Sequence, residues 1–120
     1  NNQKINLFNS GNHTRDFTYV DDIVEGISGI INKPSKELIP YNCFNIGGGK
    51  PNKLKLFLKN IENNLNKKAK IKNLPLQLGD VKKTHSSINK LYEYSSYQPK
   101  TDIKKGIKKF INWYKKYYGI

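Results

Sequence analysis

Methionine is absent from this chain of 120 residues, and arginine, cysteine and tryptophan each occur once. A chain without methionine is expected to start downstream of its own start codon, as a fragment, a processed form or a trimmed form. The lone Cys43 excludes an internal disulfide and makes a reducing cytoplasm the expected compartment. Its neighbours Tyr41, Phe44 and Ile46 suggest a buried strand thiol rather than a nucleophile. His13 and His85 lie far apart, without cysteine or carboxylate partners at ligand spacing, so no metal site is expected. Apolar runs are short. None approaches a membrane span, and Asn1 to Asn12 lacks the apolar stretch of a signal peptide. The length allows one domain at most, with a modest core.

What the chain has in excess is lysine. The formal net charge is +13, a balance that ordinarily points to nucleic acid or another polyanion. Here the lysines are spread along the chain and mixed with asparagine and isoleucine, as an A/T-rich coding bias would produce. Doublets such as Lys67-Lys68 and Lys115-Lys116 read as solvated faces. Arginine, the favoured base reader, is nearly missing, so no specific nucleic-acid recognition is expected.

That makes Arg15 conspicuous. In a lysine-rich background, a guanidinium kept at one place suggests that its planar, bidentate fork is needed there, for a phosphate or a carboxylate. A chance survivor, or a salt bridge to a nearby aspartate, is the plainer alternative.

Residues 5 to 9 read as a strand, Ser10 to Asn12 as a turn, and Arg15 to Val20 as a short extended segment. Asp21 and Asp22 open a helix whose apolar face is Ile23, Ile27, Ile30 and Ile31. Gly26 and Gly29 within it imply a close neighbour. After a polar connector, Tyr41 to Ile46 reads as a second strand. Gly47 to Gly49 turn the chain, and Pro51 suits the first position of the next helix. Leu54, Phe57, Leu58, Ile61 and Leu65 form its stripe. Residues 69 to 74 look extended, and Pro75 to Gly79 form a loop. A short helix follows Ser86 or Ser87, using Ile88, Leu91 and Tyr92. Thr101-Asp102 caps a last helix with the stripe Ile103, Ile107, Phe110, Ile111 and Tyr114.

Chemistry is sparse. Gly47-Gly48-Gly49-Lys50 lacks phosphate-loop spacing and reads as a tight turn. No Tyr-x-x-x-Lys pair and no Gly-x-x-Gly-x-x-Gly occurs, and Ser, His and Asp stand at no triad spacing. No catalytic residue is assigned. Two features remain: Arg15 as an anion clamp, and the polar loop Gln77-Leu78-Gly79-Asp80. A carboxylate such as Asp80 beside a glycine turn can accept from paired sugar hydroxyls, or can cap the chain after the turn.

These motifs carry a resemblance. Arg15-Asp16-Phe17-Thr18-Tyr19-Val20-Asp21-Asp22-Ile23-Val24-Glu25-Gly26-Ile27 resembles a signature in the later part of extended short-chain dehydrogenases that act on nucleotide sugars. Phe44-Asn45-Ile46-Gly47, then Leu74 to Val81 with Thr84, then Tyr97 to Thr101, then Gly106 to Phe110 with Trp113-Tyr114 follow in the right order. Nearly the whole chain is covered. The NAD-dependent epimerase/dehydratase family is implied, with the UDP-glucuronate 4-epimerase branch most similar.

The resemblance implies an α/β fold: the C-terminal substrate-binding region of an extended Rossmann-type enzyme, without its N-terminal NAD-binding part. Residues 1–120 would be one C-terminal fragment, with about 20–49 returning to the Rossmann sheet and 50–120 forming the substrate cap. It implies a UDP-sugar substrate, NAD held mainly by the missing part, and a homodimeric parent. Arg15 would contact the diphosphate, Gln77 would border the diphosphate or uridine, and Asp80 would reach the ribose. The parent reaction would interconvert UDP-glucuronate and UDP-galacturonate by transient oxidation at carbon 4, and the fragment alone would be inactive. A 4,6-dehydratase or decarboxylase fragment, or a basic polyanion-binding module, are the alternatives. The chain departs from the family where Ser87 replaces an aspartate cap, Ser96 replaces a glycine, and Phe17 replaces the tyrosine of galactose-type relatives.

Overall fold

A computed structural model describes residues 3–120. In chain order it contains β1 (Ile5–Phe8), a 3₁₀ turn at Asn9–Gly11, β2 (Thr14–Arg15), α1 (Val20–Ile31), β3 (Asn52–Lys53), α2 (Leu54–Leu65), β4 (Ile71–Leu74), α3 (Asn89–Ser95) and α4 (Ile103–Tyr118). β1 and β4 pair in parallel, with Ile5 opposite Ile71 and Phe8 opposite Leu74. β2 runs antiparallel to β3, with Thr14 opposite Lys53 and Arg15 opposite Asn52. Thr14 also bridges to Lys83 on its other side.

The helices begin where competing backbone demands end. α2 starts at Leu54 rather than at Pro51, because Asn52 and Lys53 are kept extended by pairing with β2. α3 starts at Asn89, and neither Ser86 nor Ser87 caps it. The Ser86 N–H is instead donated to the Asp16 carboxylate at 3.0 Å, which holds that stretch out of helical conformation. α4 starts as its sequence indicates: Asp102 accepts from the Lys105 N–H at 2.9 Å, and Lys115 and Lys116 sit in the last turn.

Two packing units meet around these helices. α2 lies against α4, burying Ile107 and Ile111, while α1 lies against α3, where Leu91 is completely buried. Of the two glycines of α1, Gly26 has the close neighbour expected of it, whereas Gly29 meets only Ser95 at ordinary contact distance. A Cβ at Gly26 would stand 3.1 Å from both the Tyr97 ring and Ile46. The buried Tyr97 is itself fixed by donating its hydroxyl to the Gly47 carbonyl at 3.2 Å.

Two sequence expectations fail here. Tyr41 to Ile46 is not a strand, because among the described residues no strand lies beside it. The segment runs irregularly past α3, with Phe44 against Tyr94 and Lys90 donating to the Cys43 carbonyl. Cys43 is accordingly exposed rather than buried.

The apolar face of α1 is divided. Asp22 and Gly26 face inward with Ile23 and Ile30 partly covered, whereas Val20, Val24, Ile27 and Ile31 form a second stripe left in solvent. Leu38, Ile39 and Tyr41 are also exposed. The molecule is a slab of 55 × 37 × 19 Å with a radius of gyration of 17.6 Å, against about 14 Å for a compact domain of this length.

Candidate functional site

The Arg15-Asp16 pair divides two tasks between opposite faces of an extended segment, where successive side chains alternate. Asp16 turns inward as a joint. Its Oδ2 accepts from the Gly49 and Ser86 N–H groups, both at 3.0 Å, and its own N–H reaches Thr84 Oγ1 at 3.3 Å. Arg15 turns the other way. Its Nη1 donates to the Thr14 carbonyl at 3.1 Å, and its Nη2 meets Asp80 Oδ1 at 2.6 Å.

Asp80 arrives there by a tight turn. The Asp80 N–H returns to the Gln77 carbonyl at 3.1 Å, closing a four-residue turn whose third residue, Gly79, has φ +81°. That is the position of a type II turn that favours glycine. The chain after the turn is tied to β2, since Thr14 donates to the Lys82 carbonyl and Thr84 donates to the Thr14 carbonyl. The bridging segment thereby brings together an arginine and a carboxylate that stand 65 positions apart in sequence.

Of the three residues singled out in the sequence, Arg15 and Asp80 are thus in direct contact. Gln77 belongs to the same turn, but its side chain is exposed, and the turn uses only its carbonyl. The guanidinium and carboxylate are both partly open to solvent, so the pair adds little to stability and is accessible to a ligand. Asp80 uses one of its several acceptor positions on Arg15, and Arg15 keeps further N–H donors.

His13 was missed by the sequence reading as a member of this site. It is 4% exposed, and its Nε2 stands 3.1 Å from Asp80 Oδ2. This is ion-pair distance, although the angle falls short of a regular hydrogen bond, and Nε2 has no other partner. The available signal was the spacing: residues 13 and 15 of one extended segment share a face.

The glycine turn at 47 to 49 does not offer a phosphate cradle. A Cβ at Gly48 would stand 2.9 Å from the Phe17 carbonyl oxygen and 2.8 Å from Asp16 Oδ1. Its backbone is bare because the protein's own chain approaches it. Among the described residues no cluster of three or more His, Cys, Asp or Glu side chains is placed to hold a metal ion, and no helix is long and apolar enough to cross a membrane.

This arrangement, α/β with an arginine–aspartate pair beside a glycine turn, has the fold of part of the extended Rossmann-type nucleotide-sugar enzymes. Residues 1–47 match the model of the NAD dependent epimerase/dehydratase family. Protein CapI of Staphylococcus aureus is 39% identical over 98% of this chain and 40% of its own length. UDP-glucuronate 4-epimerase 1 of Arabidopsis thaliana is 36% identical over 88% of this chain and 27% of its own. The crystal structure of UDP-glucuronic acid 4-epimerase from Bacillus cereus, in complex with UDP-glucuronic acid and NAD, superposes with a TM-score of 0.85 and 26% identity, over 98% of this chain and 37% of that one. The chain is similar to members of this family over nearly its whole length, and it spans 40% or less of the length of these relatives.

Proposed function

We propose that these residues are the nucleotide-binding part of an NAD-dependent UDP-glucuronate 4-epimerase, which interconverts UDP-glucuronate and UDP-galacturonate through a 4-keto sugar. The observation that carries this reading is the contact of Arg15 with Asp80 beside the Gln77–Asp80 turn. It sets a bidentate cation and a hydroxyl acceptor side by side, the pair that a nucleoside diphosphate requires.

In this proposal the Arg15 guanidinium neutralises the diphosphate and anchors it while the sugar turns over. Asp80 accepts from the ribose hydroxyls, and Gln77 flanks the diphosphate on the uridine side. The chemistry that NAD supplies when bound is reversible acceptance of hydride from carbon 4. No residue of this chain is assigned to the cofactor, since the 47 to 49 turn is filled by Asp16 and Phe17. The base and the cofactor site belong to the remainder of a longer protein. In that protein, residues 20–49 would return to the Rossmann sheet, residues 50–120 would form the cap, and the exposed stripe of Val20, Val24, Ile27 and Ile31 would be covered.

The test is Arg15→Lys in the full-length protein. The KM for UDP-glucuronate is expected to rise at least about tenfold with kcat largely kept, the mark of binding lost equally from ground and transition states. Lys67→Gln and Lys68→Gln are expected to leave both unchanged. Equal losses from the arginine and lysine variants, with a steep salt dependence, would instead indicate a general polyanion-binding surface. The 120 residues alone are expected to show no turnover of UDP-glucuronate with added NAD+, and turnover by them would overturn the division of labour.

A further inference from the structure

We propose that His13 is a positioning residue for Asp80, holding the carboxylate in place while Arg15 is engaged by the diphosphate. This rests on the reading of Asp80 as a nucleotide contact. The Gln77–Asp80 turn has little support of its own. Leu78 is 99% exposed, and a Cβ placed on Gly79 would meet nothing within 4 Å. The carboxylate itself is held from β2 and the residue before it, with Oδ1 on Arg15 and Oδ2 facing His13.

The two partners of Asp80 differ in what they can do. Arg15 is partly exposed and has donors to share with a ligand, so its hold on Asp80 weakens as its fork turns to phosphate. His13 is buried, its backbone carbonyl accepts from the Leu54 N–H at 2.9 Å, and its ring has no route to a ligand. Whatever it does for binding passes through Asp80. An ionised carboxylate only accepts, so holding it from Nε2 requires the proton to be on that nitrogen.

The consequence is a defined pattern of losses in the full-length protein, with UDP as the probe in calorimetry. Asp80→Asn is expected to weaken UDP binding about tenfold or more. His13→Leu is expected to weaken it to a comparable degree, and His13→Gln, which restores a donor, to recover most of the loss. In the Asp80→Asn background His13→Leu is expected to change nothing further, because its effect has no other path. Steady-state kinetics of His13→Leu should show the loss in KM for UDP-glucuronate and not in kcat.

The outcomes separate the two claims. If Asp80→Asn binds UDP as wild type does, the reading of Asp80 fails and this proposal falls with it. If Asp80→Asn weakens binding but His13→Leu does not, or if the two losses simply add, Asp80 remains a nucleotide contact and His13 is only a core residue. Should His13→Leu fail to fold, the wild-type ring answers the question. A shift of its Nε2 resonance on adding UDP, lost in Asp80→Asn, supports the proposal, and an unmoved resonance overturns it.

Discussion

Asp22 holds Thr101 with both carboxylate oxygens: Oδ2 accepts from the Thr101 N–H at 3.1 Å and Oδ1 from its hydroxyl at 3.0 Å. The carboxylate is buried within α1, and Thr101 leads directly into α4. One aspartate therefore fixes the angle between the helix that follows the Arg15 segment and the helix that closes the molecule. Asp22→Ala leaves the Thr101 N–H and hydroxyl and the Lys100 N–H without their acceptor and is expected to cost about 2–3 kcal/mol. Chemical denaturation of the full-length protein measures it. A loss below about 0.5 kcal/mol would show that the joint is held elsewhere.

Gly26 and Gly29 occupy the same helix but are expected to respond in opposite senses. At Gly29 an added Cβ meets only Ser95 at 3.5 Å, ordinary contact, so Gly29→Ala should gain about 0.5–1 kcal/mol of helix propensity. At Gly26 even a methyl group stands 3.1 Å from Tyr97, whose ring is buried and hydrogen-bonded. Gly26→Leu is expected to cost about 2 kcal/mol or more by overpacking. Melting temperatures of the two variants should move apart in sign.

Ser96 ends α3 in the left-handed region at φ +59°. A serine there carries a steric penalty that glycine escapes. Ser96→Gly is expected to raise stability by about 1 kcal/mol, read as a higher denaturant midpoint at unchanged slope.

Tyr97 supplies a dependence on pH. Burial pushes its phenol above the ordinary range, and the carboxylates of Asp22, Glu25 and Asp16 push in the same direction. The folded state then keeps the proton longer than the unfolded chain does. The stability from this group is complete below about pH 10, the unfolded value, and is lost as pH rises through the higher folded one. Tyr97→Phe should cost about 1 kcal/mol at neutral pH for the lost hydrogen bond. It should also shrink the fall in stability above pH 10, and an unchanged alkaline profile would contradict the assignment.

The sequence was most legible where one element decides its own form. The stripe of α2 and the Asp102 start of α4 are local facts of spacing and capping, and both stand. Elements that depend on a distant partner were read less well. Tyr41 to Ile46 has strand composition, but strand formation needs a neighbour that the described residues do not provide. Pro51 is suited to a helix start, yet the pairing of Asn52 and Lys53 with β2 postpones it. At the site, Arg15 stood out as a lone arginine and Asp80 by its glycine turn. His13 did not stand out, because its partner is a carboxylate far along the chain.

That separation in sequence also has a meaning in time. His13 and Arg15 leave the ribosome before the carboxylate they meet, which is 65 residues behind Arg15, a delay of roughly 3–13 s at ordinary rates of synthesis. The parallel pairing of β1 with β4 waits for the same stretch of chain. Through that interval Arg15 is without its counter-charge, and a free strand edge is without its partner. The contact of Arg15 with Asp80 thus cannot form until that later stretch has been made.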